Sequence, residues 1–466
     1  MGLRDTLVDY FELHEHGTTV RTEILAGITT FLTMSYIVVV NPSILADQPG
    51  NNFTDGIAIS GYSVGEVEAM LAVVTIIAAA VATLIMALYA NRPFGQAPGL
   101  GLNAFFAFTV VGALGIPWQT ALAAVVVEGI IFILLTAVGA REYVIKLFPE
   151  PVKFAVGTGI GLFLALIGLQ AMNIVANDPS TLVTLGPVAS DPVAIVSTLG
   201  LFLTFALYAR GIRGSVILGI VLTTIAGWIV TQAGLVAPDA GLVVASTNTT
   251  YDITPLAGAF LTGFANVEAF TFALVVFTFF FVDFFDTAGT LVGVSQVAGF
   301  LDESGNLPDI DRPLMADAVG TTVGGMLGTS TVTTYIESAS GVEEGGRTGL
   351  TALVVAVLFV LSLAVVPLAA AVPLYASHIA LVVIGVVMLR NVVDIAWDDI
   401  TYAIPAGMTI LVMPLTYSIA YGIAAGIVSY PIVKAARGEW GDVSIGQWIL
   451  ALAFVLYYVV RTRTLA

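Results

Sequence analysis

Long apolar runs separated by short polar stretches dominate the chain. A run of about 17 to 25 apolar residues can cross the roughly 30 Å hydrocarbon layer of a bilayer. Counting such runs predicts about fourteen segments, several of them too short to span alone. They lie near 24–41, 66–90, 97–113, 118–139, 152–175, 192–209 and 214–234 in the first half, and near 266–295, 313–328, 335–346, 348–373, 376–393, 401–416 and 418–436 in the second. The pattern therefore predicts an all-α polytopic membrane protein.

Basic residues fall on alternate loops of this predicted arrangement. Cytoplasmic loops of membrane proteins are enriched in Lys and Arg. The stretches 41–65, 115–119, 177–191 and 234–263 contain neither residue, which predicts that they face outside. The N-terminus and the remaining loops carry Arg4, Arg21, Arg92, Arg141, Lys146, Lys153, Arg210, Arg213, Arg312, Arg347, Arg390, Lys434 and Arg437. We therefore expect a multi-pass protein of the cell membrane with a cytoplasmic N-terminus.

The third segment of each half is short and interrupted by glycine. The two sequences are GQAPGLGLNAFFAF at 95–108 and GTSTVTTYIESASG at 328–341. Paired broken segments at matching positions indicate a transporter site built from half helices, and an odd number of segments per half makes the two halves an inverted repeat. We predict half helices and short strands in segments 3 and 10. The predicted units are 1–235 (first repeat), 236–265 (extracellular connector), 266–436 (second repeat) and 437–466 (cytoplasmic or interfacial C-terminal helix).

Composition narrows the class of protein further. Of 466 residues, 58% are hydrophobic and 10% are charged, whereas soluble domains have about 25% charged residues. The absence of cysteine excludes disulfides, thiolate metal sites and cysteine nucleophiles. A net charge of −17 disfavours nucleic-acid binding. Because His14, His16 and His378 are the only histidines, we expect solvated or hydrogen-bonded residues, with no metal site and no cofactor.

The apolar run FTFFFVDFFDTAGTLVG at 277–293 carries two aspartates in its middle. A carboxylate at bilayer depth costs roughly 2.5 to 3.5 kcal/mol on insertion scales and usually faces a cavity or relay. Helical spacing places four polar residues on one face of this run: Asp283, Asp286, Thr287 and Thr290. The surrounding phenylalanines either stack on a flat ligand or, as is more common, face lipid or the core: Phe279, Phe280, Phe284 and Phe285. This segment therefore predicts a polar pocket inside the membrane.

Further polar residues lie in the broken segments. Asn103 follows Gly99 and Gly101 in PGLGLN, so a half helix beginning here would point free N–H groups inward. The alternative is a packing turn between crowded helices. In TVTTYIES, Thr334 lies in an extended lead, and Glu337 either contributes to the same pocket or caps the next helix.

Two more acids lie at membrane depth. Asp317 in PLMADAVGTTVGG is expected to orient the pocket or to pack against the glycine-rich turn. Glu128 in VVVEGIIF is either a protonated or partnered residue at a helix interface or a residue that moves protons. Carboxylates, an asparagine and free backbone N–H groups together offer hydrogen-bond acceptors and donors that complement those on the edge of a purine. Burial disfavours the ionised form of a carboxyl, so one of the acids could load and release a proton in each transport cycle.

Four stretches carry a family resemblance: RTEILAGITTFLTMSYIVVVNPSIL, GQAPGLGLNAFFAFTVV, FVDFFDTAGTLVGV and ADAVGTTVGGMLGTSTVTTYIESASGVEEGGRTGLTAL. They resemble the AzgA-like adenine/guanine/hypoxanthine permeases of the nucleobase-cation symporter and nucleobase-ascorbate transporter superfamily. The resemblance implies fourteen helices in two inverted repeats of seven. It also implies a core domain of segments 1–4 and 8–11, and a gate domain of segments 5–7 and 12–14.

The resemblance also implies a function and a set of site residues. The function is uptake of adenine, guanine or hypoxanthine driven by a cation, usually the proton, in a protein that is often a homodimer. By motif, Asp283 takes the place of the eighth-helix carboxylate that holds the base, and Glu337 that of the tenth-helix acid. Asn103 matches the third-helix polar residue, and Asp286 is a supporting acid one turn on. We expect further support from Asp317, Thr287, Gly101 and Thr334.

Three other functions have to be weighed against purine transport. A transporter for uracil or xanthine fits the same motifs. A related-fold anion transporter or channel needs a positive site, whereas the deep polar residues here are mostly acids. An intramembrane enzyme could use paired aspartates, but the sequence has no second acid pair, metal cluster or nucleophile motif. We therefore expect a transporter and not an enzyme.

Overall fold

The fold is almost entirely helical. The computed structural model describes residues 2–48, 56–139, 147–244, 249–265, 267–302 and 307–464. Arg141 and Lys146, two of the residues used to predict orientation, lie outside these ranges. The helices are α1 Leu3–Tyr10, α2 Val20–Met34, α3 Ile37–Leu45, α4 Val64–Ile85, α5 Leu100–Ala104, α6 Trp118–Ala137, α7 Glu150–Ala171, α8 Pro192–Ala209, α9 Ser215–Gln232, α10 Ala269–Ala298, α11 Asp311–Leu327, α12 Ser338–Glu343, α13 Gly349–Ser362, α14 Val366–Ala369, α15 Leu374–Ser377, α16 Ile379–Met388, α17 Ile400–Leu415, α18 Ile419–Ala436 and α19 Ile445–Thr464.

Shorter helical turns extend several of these helices. Met86–Ala90 continues α4 and Phe105–Ala113 continues α5, both as π-helix. The 3-10 turns are Ala259–Phe264, Leu363–Val365, Leu389–Asp394 and Trp440–Asp442. In the described part of the chain, 10 helical stretches are long and apolar enough to cross a membrane. Leu100–Ala113 and Ile400–Leu415 are apolar but shorter. The prediction of a multi-pass helical membrane protein is confirmed, while the number of fourteen crossings stays a prediction.

The starts and ends of the long helices follow from local sequence. At the start of α4, Ser63 Oγ accepts a hydrogen bond from the Glu66 backbone at 3.4 Å, and the Glu66 carboxylate accepts one from the Ser63 backbone at 2.8 Å. This reciprocal pair satisfies two N–H groups that the first turn would leave unpaired. At the start of α10, Glu268 accepts from the Thr271 backbone at 2.7 Å. The same helix ends at Gly299, whose φ of 69° suits a residue without a side chain.

The two broken segments meet as a pair of short strands. Strand β1, Gln96–Pro98, pairs antiparallel with strand β4, Val332–Thr334, so that Gln96 lies opposite Thr334. Each strand is followed by a short helix, α5 or α12. The predicted combination of half helices and short strands in segments 3 and 10 is therefore confirmed. Because the strands come from opposite halves of the chain, they join the two halves in the interior.

The sequence did not predict a second pair of strands. Strand β2, Val175–Asp178, and strand β3, Leu182–Leu185, form a hairpin between α7 and α8, in a loop expected to face outside. Its turn is held by Asp178, whose carboxylate accepts from the Ser180 backbone at 2.8 Å and the Thr181 backbone at 2.9 Å. These backbone N–H groups also hold the pKa of Asp178 below its usual value. Side chains of this kind favour turns because they replace backbone hydrogen bonds.

The long helices pack against one another in two groups, described here by the predicted core and gate to which their segments were assigned. Within the predicted core, α6 and α4 pack on α11, and α2 packs on α13. Within the predicted gate, α7 packs on both α16 and α17, and α17 packs on α18. The C-terminal helix α19 docks against α18, where Tyr458 donates a 3.1 Å hydrogen bond to the carbonyl of Tyr421. The domain boundaries themselves stay a prediction.

Candidate substrate-binding site

Asp283 lies in the middle of α10 and has no solvent exposure. Thr321 Oγ1, on α11, is 3.4 Å from Asp283 Oδ2 and donates a stronger, 2.7 Å bond to the carbonyl of Val332 in β4. The other carboxyl oxygen, Oδ1, has no hydrogen-bond partner among the described residues. The aspartate is therefore held beside the strand pair with one acceptor atom still available.

Asn103 contributes an available donor close to the same strands. It lies on α5, whose first turn begins after Gly99, and it is fully buried. Its Oδ1 accepts a short hydrogen bond from Ser330 Oγ, which fixes the orientation of the amide. Its Nδ2 has no acceptor among the described residues. A buried amide nitrogen without a partner costs free energy unless a ligand or water accepts from it.

Glu337 immediately precedes α12 but does not cap it, since its side chain makes no hydrogen bond to the first turn. Instead, its Oε1 accepts a 2.6 Å hydrogen bond from the hydroxyl of Tyr36. Tyr36 lies at the break between α2 and α3 and is 1% exposed. The structure therefore does not show Glu337 as the cap of α12, and its place in the pocket stays a prediction. Sequence reasoning missed Tyr36, although a tyrosine inside the first apolar segment was a usable signal.

The supporting residues Asp317 and Thr334 form a closed triangle with Gln96. The Gln96 amide donates to Asp317 Oδ1 at 3.1 Å and to Thr334 Oγ1 at 3.2 Å, and Thr334 donates to Asp317 Oδ1 at 3.0 Å. All three side chains are buried. These hydrogen bonds connect the paired strands to α11, while the role of Asp317 in orienting a pocket stays a prediction. Gln96 was not predicted from the sequence, because its role depends on strand pairing.

The other residues of the predicted polar face also turn toward the strands. Thr287 forms a 2.6 Å hydrogen bond with Thr333 of β4. Asp286 is half-buried, and Thr290 is half-buried one turn farther along the helix. The helical spacing read from the sequence therefore places these residues on the face of α10 that packs against β4 and α12.

Gly101 marks a close approach between α5 and α7. A Cβ added at this glycine would lie 2.8 Å from Cγ2 of Ile160. Carbon atoms at ordinary contact are about 3.5 to 4.0 Å apart. The missing side chain therefore allows the half helix of the predicted core to lie directly against a helix of the predicted gate.

The phenylalanines of α10 pack against other aromatic rings. Phe279 contacts Phe105 edge-on with ring centroids 4.7 Å apart, and Phe280 contacts Phe132 in the same way at 5.6 Å. Phe284 and Phe285 pack on each other with centroids 5.3 Å apart. Such edge-to-face pairs are typical of apolar cores. Of the two interpretations offered above, core packing is the one that the structure favours.

The site is acidic and has no ion-pair partner in the part of the chain that the structure describes. None of the described salt bridges involves the buried acids Glu128, Asp283 and Asp317 or the half-buried acids Asp286 and Glu337. The described residues also contain no group of three or more His, Cys, Asp or Glu side chains that could hold a metal ion. His378, in turn, is buried and hydrogen-bonded to Ser377 at 3.1 Å.

Comparison with known proteins yields matches over almost the whole chain. A family model described as "Permease family" matches residues 21–425. A protein of Methanocaldococcus jannaschii is 44% identical over 455 residues, which cover 97% of each chain. The adenine permease AdeP of Escherichia coli is 41% identical over 96% of this chain and 95% of its own. The guanine/hypoxanthine permease PbuG of Bacillus subtilis is 40% identical over 97% of this chain and 99% of its own.

Solved structures with low sequence identity share the fold. The transmembrane domain of the cyanobacterial bicarbonate transporter BicA superposes with a TM-score of 0.61 at 15% identity, covering 87% of this chain and 97% of that one. At this identity the similarity concerns the fold alone. It shows that the fold of this chain also occurs in the transmembrane domain of that transporter.

Proposed function

Because this chain belongs to the permease family of nucleobase transporters, as the resemblance of its motifs predicted, we propose that it imports purine nucleobases. The substrates are hypoxanthine, adenine and guanine. Relatives described as an adenine permease and a guanine/hypoxanthine permease align with this chain along 95% and 99% of their own length. The proposal also places the protein in the cell membrane with its N-terminus in the cytoplasm.

One observation carries the choice of substrate. Two buried side-chain atoms lack a hydrogen-bond partner among the described residues. One is an acceptor, Asp283 Oδ1, and the other is a donor, Asn103 Nδ2. The edge of a purine offers N–H donors beside ring-nitrogen or carbonyl acceptors. A base that donates to Asp283 and accepts from Asn103 would therefore satisfy two atoms whose burial is otherwise costly.

Glu337 and Asp286 complete the proposed site. Glu337 is oriented by Tyr36 and keeps carboxyl lone pairs available for a second N–H group of the base. Asp286 lies one turn from Asp283 on the same helix and is proposed to support it. Asp317, Thr287, Thr334 and Gly101 support the site without being assigned contacts to the base.

The coupling ion in this proposal is the proton. The buried acids have no basic partner in the described residues, so ionising all of them at once would leave several uncompensated charges in a low-dielectric interior. Binding a proton lowers this cost, and the proton gradient can then drive uptake. Transport proceeds by movement of the predicted core domain against the predicted gate domain, in a protein that forms homodimers.

Uptake of radiolabelled hypoxanthine into proteoliposomes tests the proposal. Unlabelled adenine and guanine should compete, and an uncoupler should abolish accumulation. Xanthine and uracil as competitors measure how far the specificity extends to other nucleobases. If no nucleobase is taken up or competes, the purine assignment is wrong and bicarbonate and other anions become the next substrates to test.

A variant of the main carboxylate adds a direct check. Asp283→Asn should abolish hypoxanthine uptake while membrane insertion remains normal, because a neutral amide cannot accept from the base with the same strength. Asp239→Asn, which changes an exposed aspartate of the connector, is the matched control and should transport normally. Unchanged uptake by Asp283→Asn would remove Asp283 from the site.

A further inference from the structure

Ser330 is a buried serine that contacts the proposed donor of the base site. It lies between the end of α11 and the start of β4 and has no solvent exposure. Its hydroxyl donates a short hydrogen bond to Oδ1 of Asn103. The other end of that amide, Nδ2, has no acceptor among the described residues. Ser330 therefore decides which end of the Asn103 amide remains available to a ligand.

The two ends of this amide have opposite hydrogen-bonding roles. Oδ1 is an acceptor and Nδ2 is a donor, so turning the amide over exchanges one role for the other at the same place. With Ser330 as the donor, Oδ1 is occupied and Nδ2 is available. In the opposite orientation, Asn103 and Asp283 would offer a ligand two acceptors and no donor. The orientation of one amide therefore changes the kind of ligand that the site can hold.

The backbone on one side of Ser330 is joined to the half helix that carries Asn103. The carbonyl of Thr331 accepts a 3.0 Å hydrogen bond from the backbone N–H of Gly99, the residue that precedes α5. The carbonyl of Gly99 in turn accepts a 2.8 Å bond from the backbone N–H of Asn103. Two backbone hydrogen bonds therefore set the position of Asn103 relative to the segment that contains Ser330.

On the other side of Ser330, the segment is held by Asn41 of α3. Nδ2 of Asn41 donates a 2.9 Å hydrogen bond to Oγ1 of Thr329, 288 positions farther along the chain, and a 2.6 Å bond to Oγ1 of Thr75. The Thr75 hydroxyl donates its own proton to the carbonyl of Leu71 at 2.6 Å, so it can only accept from Asn41. The orientation of the Asn41 amide is therefore fixed, and this amide ties Thr329 to α3 and α4.

We propose that Ser330, held in place by Asn41, is a positioning residue that commits Asn103 to donate to the substrate. The site then selects bases that present a hydrogen-bond acceptor, either a ring nitrogen or a carbonyl oxygen, to Nδ2 of Asn103. This inference rests on the proposed function, because it assigns a specificity-determining role at that same site. Ser330 acts on the base only through Asn103, and Asn41 acts only through Thr329 and Ser330.

Analogues of hypoxanthine that each lack one acceptor test this role. The 3-deaza, 7-deaza and 9-deaza analogues replace a ring nitrogen with a C–H group, and 6-thiopurine replaces the carbonyl oxygen with sulfur, a weaker acceptor. Competition with radiolabelled hypoxanthine in proteoliposomes gives the affinity for each analogue. For the unmodified protein, we expect one analogue to bind about tenfold more weakly than hypoxanthine, because it leaves Nδ2 of Asn103 buried without an acceptor.

Ser330→Ala should change this pattern and not only the overall affinity. Without the hydroxyl, Oδ1 of Asn103 loses its donor and the amide can turn over. We expect the affinity for hypoxanthine to fall about tenfold and the penalty for the weak analogue to shrink to about twofold or less, because the amide is no longer committed to donate. A general disturbance of the fold would instead weaken the binding of hypoxanthine and all analogues by the same factor.

Two further variants test the hydroxyl and its anchor separately. Ser330→Thr retains a hydroxyl and should keep the penalty for the weak analogue. Thr329→Val keeps the shape of the side chain but removes the acceptor of Asn41, so the segment that contains Ser330 loses its anchor to α3. This variant should reduce the penalty in the same direction as Ser330→Ala, to a smaller degree.

Ser43→Ala and Thr322→Val are the matched controls. Both residues are buried, but their hydroxyls donate to carbonyl groups of their own helices, Ser43 to Val40 and Thr322 to Ala318, each at 2.9 Å. Both control variants should show the same relative affinities for the analogues as the unmodified protein.

The possible outcomes separate this inference from the proposed function. If the unmodified protein binds no purine, the proposed function and this inference both fail. If it binds hypoxanthine and all the analogues equally well, Asn103 receives no acceptor of the base and this inference is overturned. If Ser330→Ala discriminates among the analogues as the unmodified protein does, purine transport stands and the role of Ser330 alone is wrong.

Discussion

The hydroxyl of Tyr36 donates a 2.6 Å hydrogen bond to Oε1 of Glu337, although the two residues are 301 positions apart in the chain. Tyr36 belongs to the first predicted repeat and Glu337 to the second. The bond connects the break between α2 and α3 to the start of α12. It therefore fixes the direction of an acid proposed to hold the base, from the opposite half of the fold.

Tyr36→Phe should weaken purine binding without disturbing the fold. The substitution removes a hydrogen bond to an acidic side chain, an interaction worth about 1.5 to 3 kcal/mol. Since Glu337 then loses its orientation, we expect KM for hypoxanthine to rise about tenfold, with Vmax less affected. Initial uptake rates at varied substrate concentration measure both constants.

Tyr10→Phe is the control for Tyr36→Phe. Tyr10 donates a 3.0 Å bond to the carbonyl of Leu88 near the predicted cytoplasmic surface, far from the site in the fold. Its loss should leave KM unchanged. Equal KM values for Tyr36→Phe and the unmodified protein would show that the Tyr36 hydroxyl does not orient a base-binding group.

Glu337→Gln should reduce affinity for purines more than it reduces stability. The amide keeps the size of the side chain and can still accept from Tyr36, but it offers a weaker acceptor to an N–H group of the base. Hypoxanthine binding to the purified protein, measured beside its thermal unfolding, separates the two effects. Normal affinity in this variant would exclude a direct contact between Glu337 and the base.

The parts of the site that sequence reasoning predicted are those with a local signal. Asp283, Asp286 and Thr287 stand out because charged and polar residues at helical spacing interrupt an apolar run. Asn103 and Glu337 stand out because they occupy matching broken segments. The local signal also predicted the short strands, since threonine-rich and glycine-rich leads precede both half helices.

The parts that were missed depend on contacts between distant segments. Gln96 acquires its role only because β1 pairs with β4, which brings it within 3.1 Å of Asp317, a residue 221 positions away. The outer hairpin at Val175–Asp178 was missed because its residues are mostly exposed and carry no burial pattern.

Glu23 stabilises the start of α13, and a substitution of this residue tests that role. Its buried carboxylate accepts from the backbone of Arg347 at 2.9 Å, and from the backbone and hydroxyl of Thr351 at 3.1 and 2.6 Å, at the start of α13. Negative charge at this helix end is favourable. Glu23→Gln turns an acceptor into a donor that faces N–H groups, so we expect a loss of about 2 kcal/mol in stability and a lower thermal midpoint.

Binding should be unaffected by Glu23→Gln, because this residue does not belong to the proposed site. Glu15→Gln, a change at an exposed residue of the N-terminal segment, provides the comparison and should unfold at the same temperature as the unmodified protein. The assigned role of Glu23 is wrong if both variants have the same thermal midpoint.

Gly101→Ala should slow transport by crowding the contact between α5 and α7. The added methyl group would lie 2.8 Å from Ile160 Cγ2, and overpacking of this kind costs typically about 1 to 3 kcal/mol. Since the contact joins the predicted core to the predicted gate, we expect Vmax to fall about fivefold or more. Combining Gly101→Ala with Ile160→Ala makes room for the methyl group, so this double variant should recover most of the transport rate. If the double variant is no faster than Gly101→Ala alone, the steric explanation is wrong.

An ion pair between Arg213 and Glu344 joins the predicted gate to the predicted core on the side predicted to be cytoplasmic. The side chains are 55% and 28% exposed, so the pair is worth at most about 1 kcal/mol and its removal should not unfold the protein. It can, however, bias the opening of the two domains.

The chain contains no cysteine, so Ser340→Cys, one helical turn from Glu344, provides a single position for labelling. Arg213→Gln should raise the rate of maleimide labelling at this position by up to about fivefold. The charge-reversed pair Arg213→Glu with Glu344→Arg should return the rate to that of the parent, because the attraction is restored with opposite signs. Labelling that is equally fast in all three proteins would show that the ion pair does not hold the two domains together.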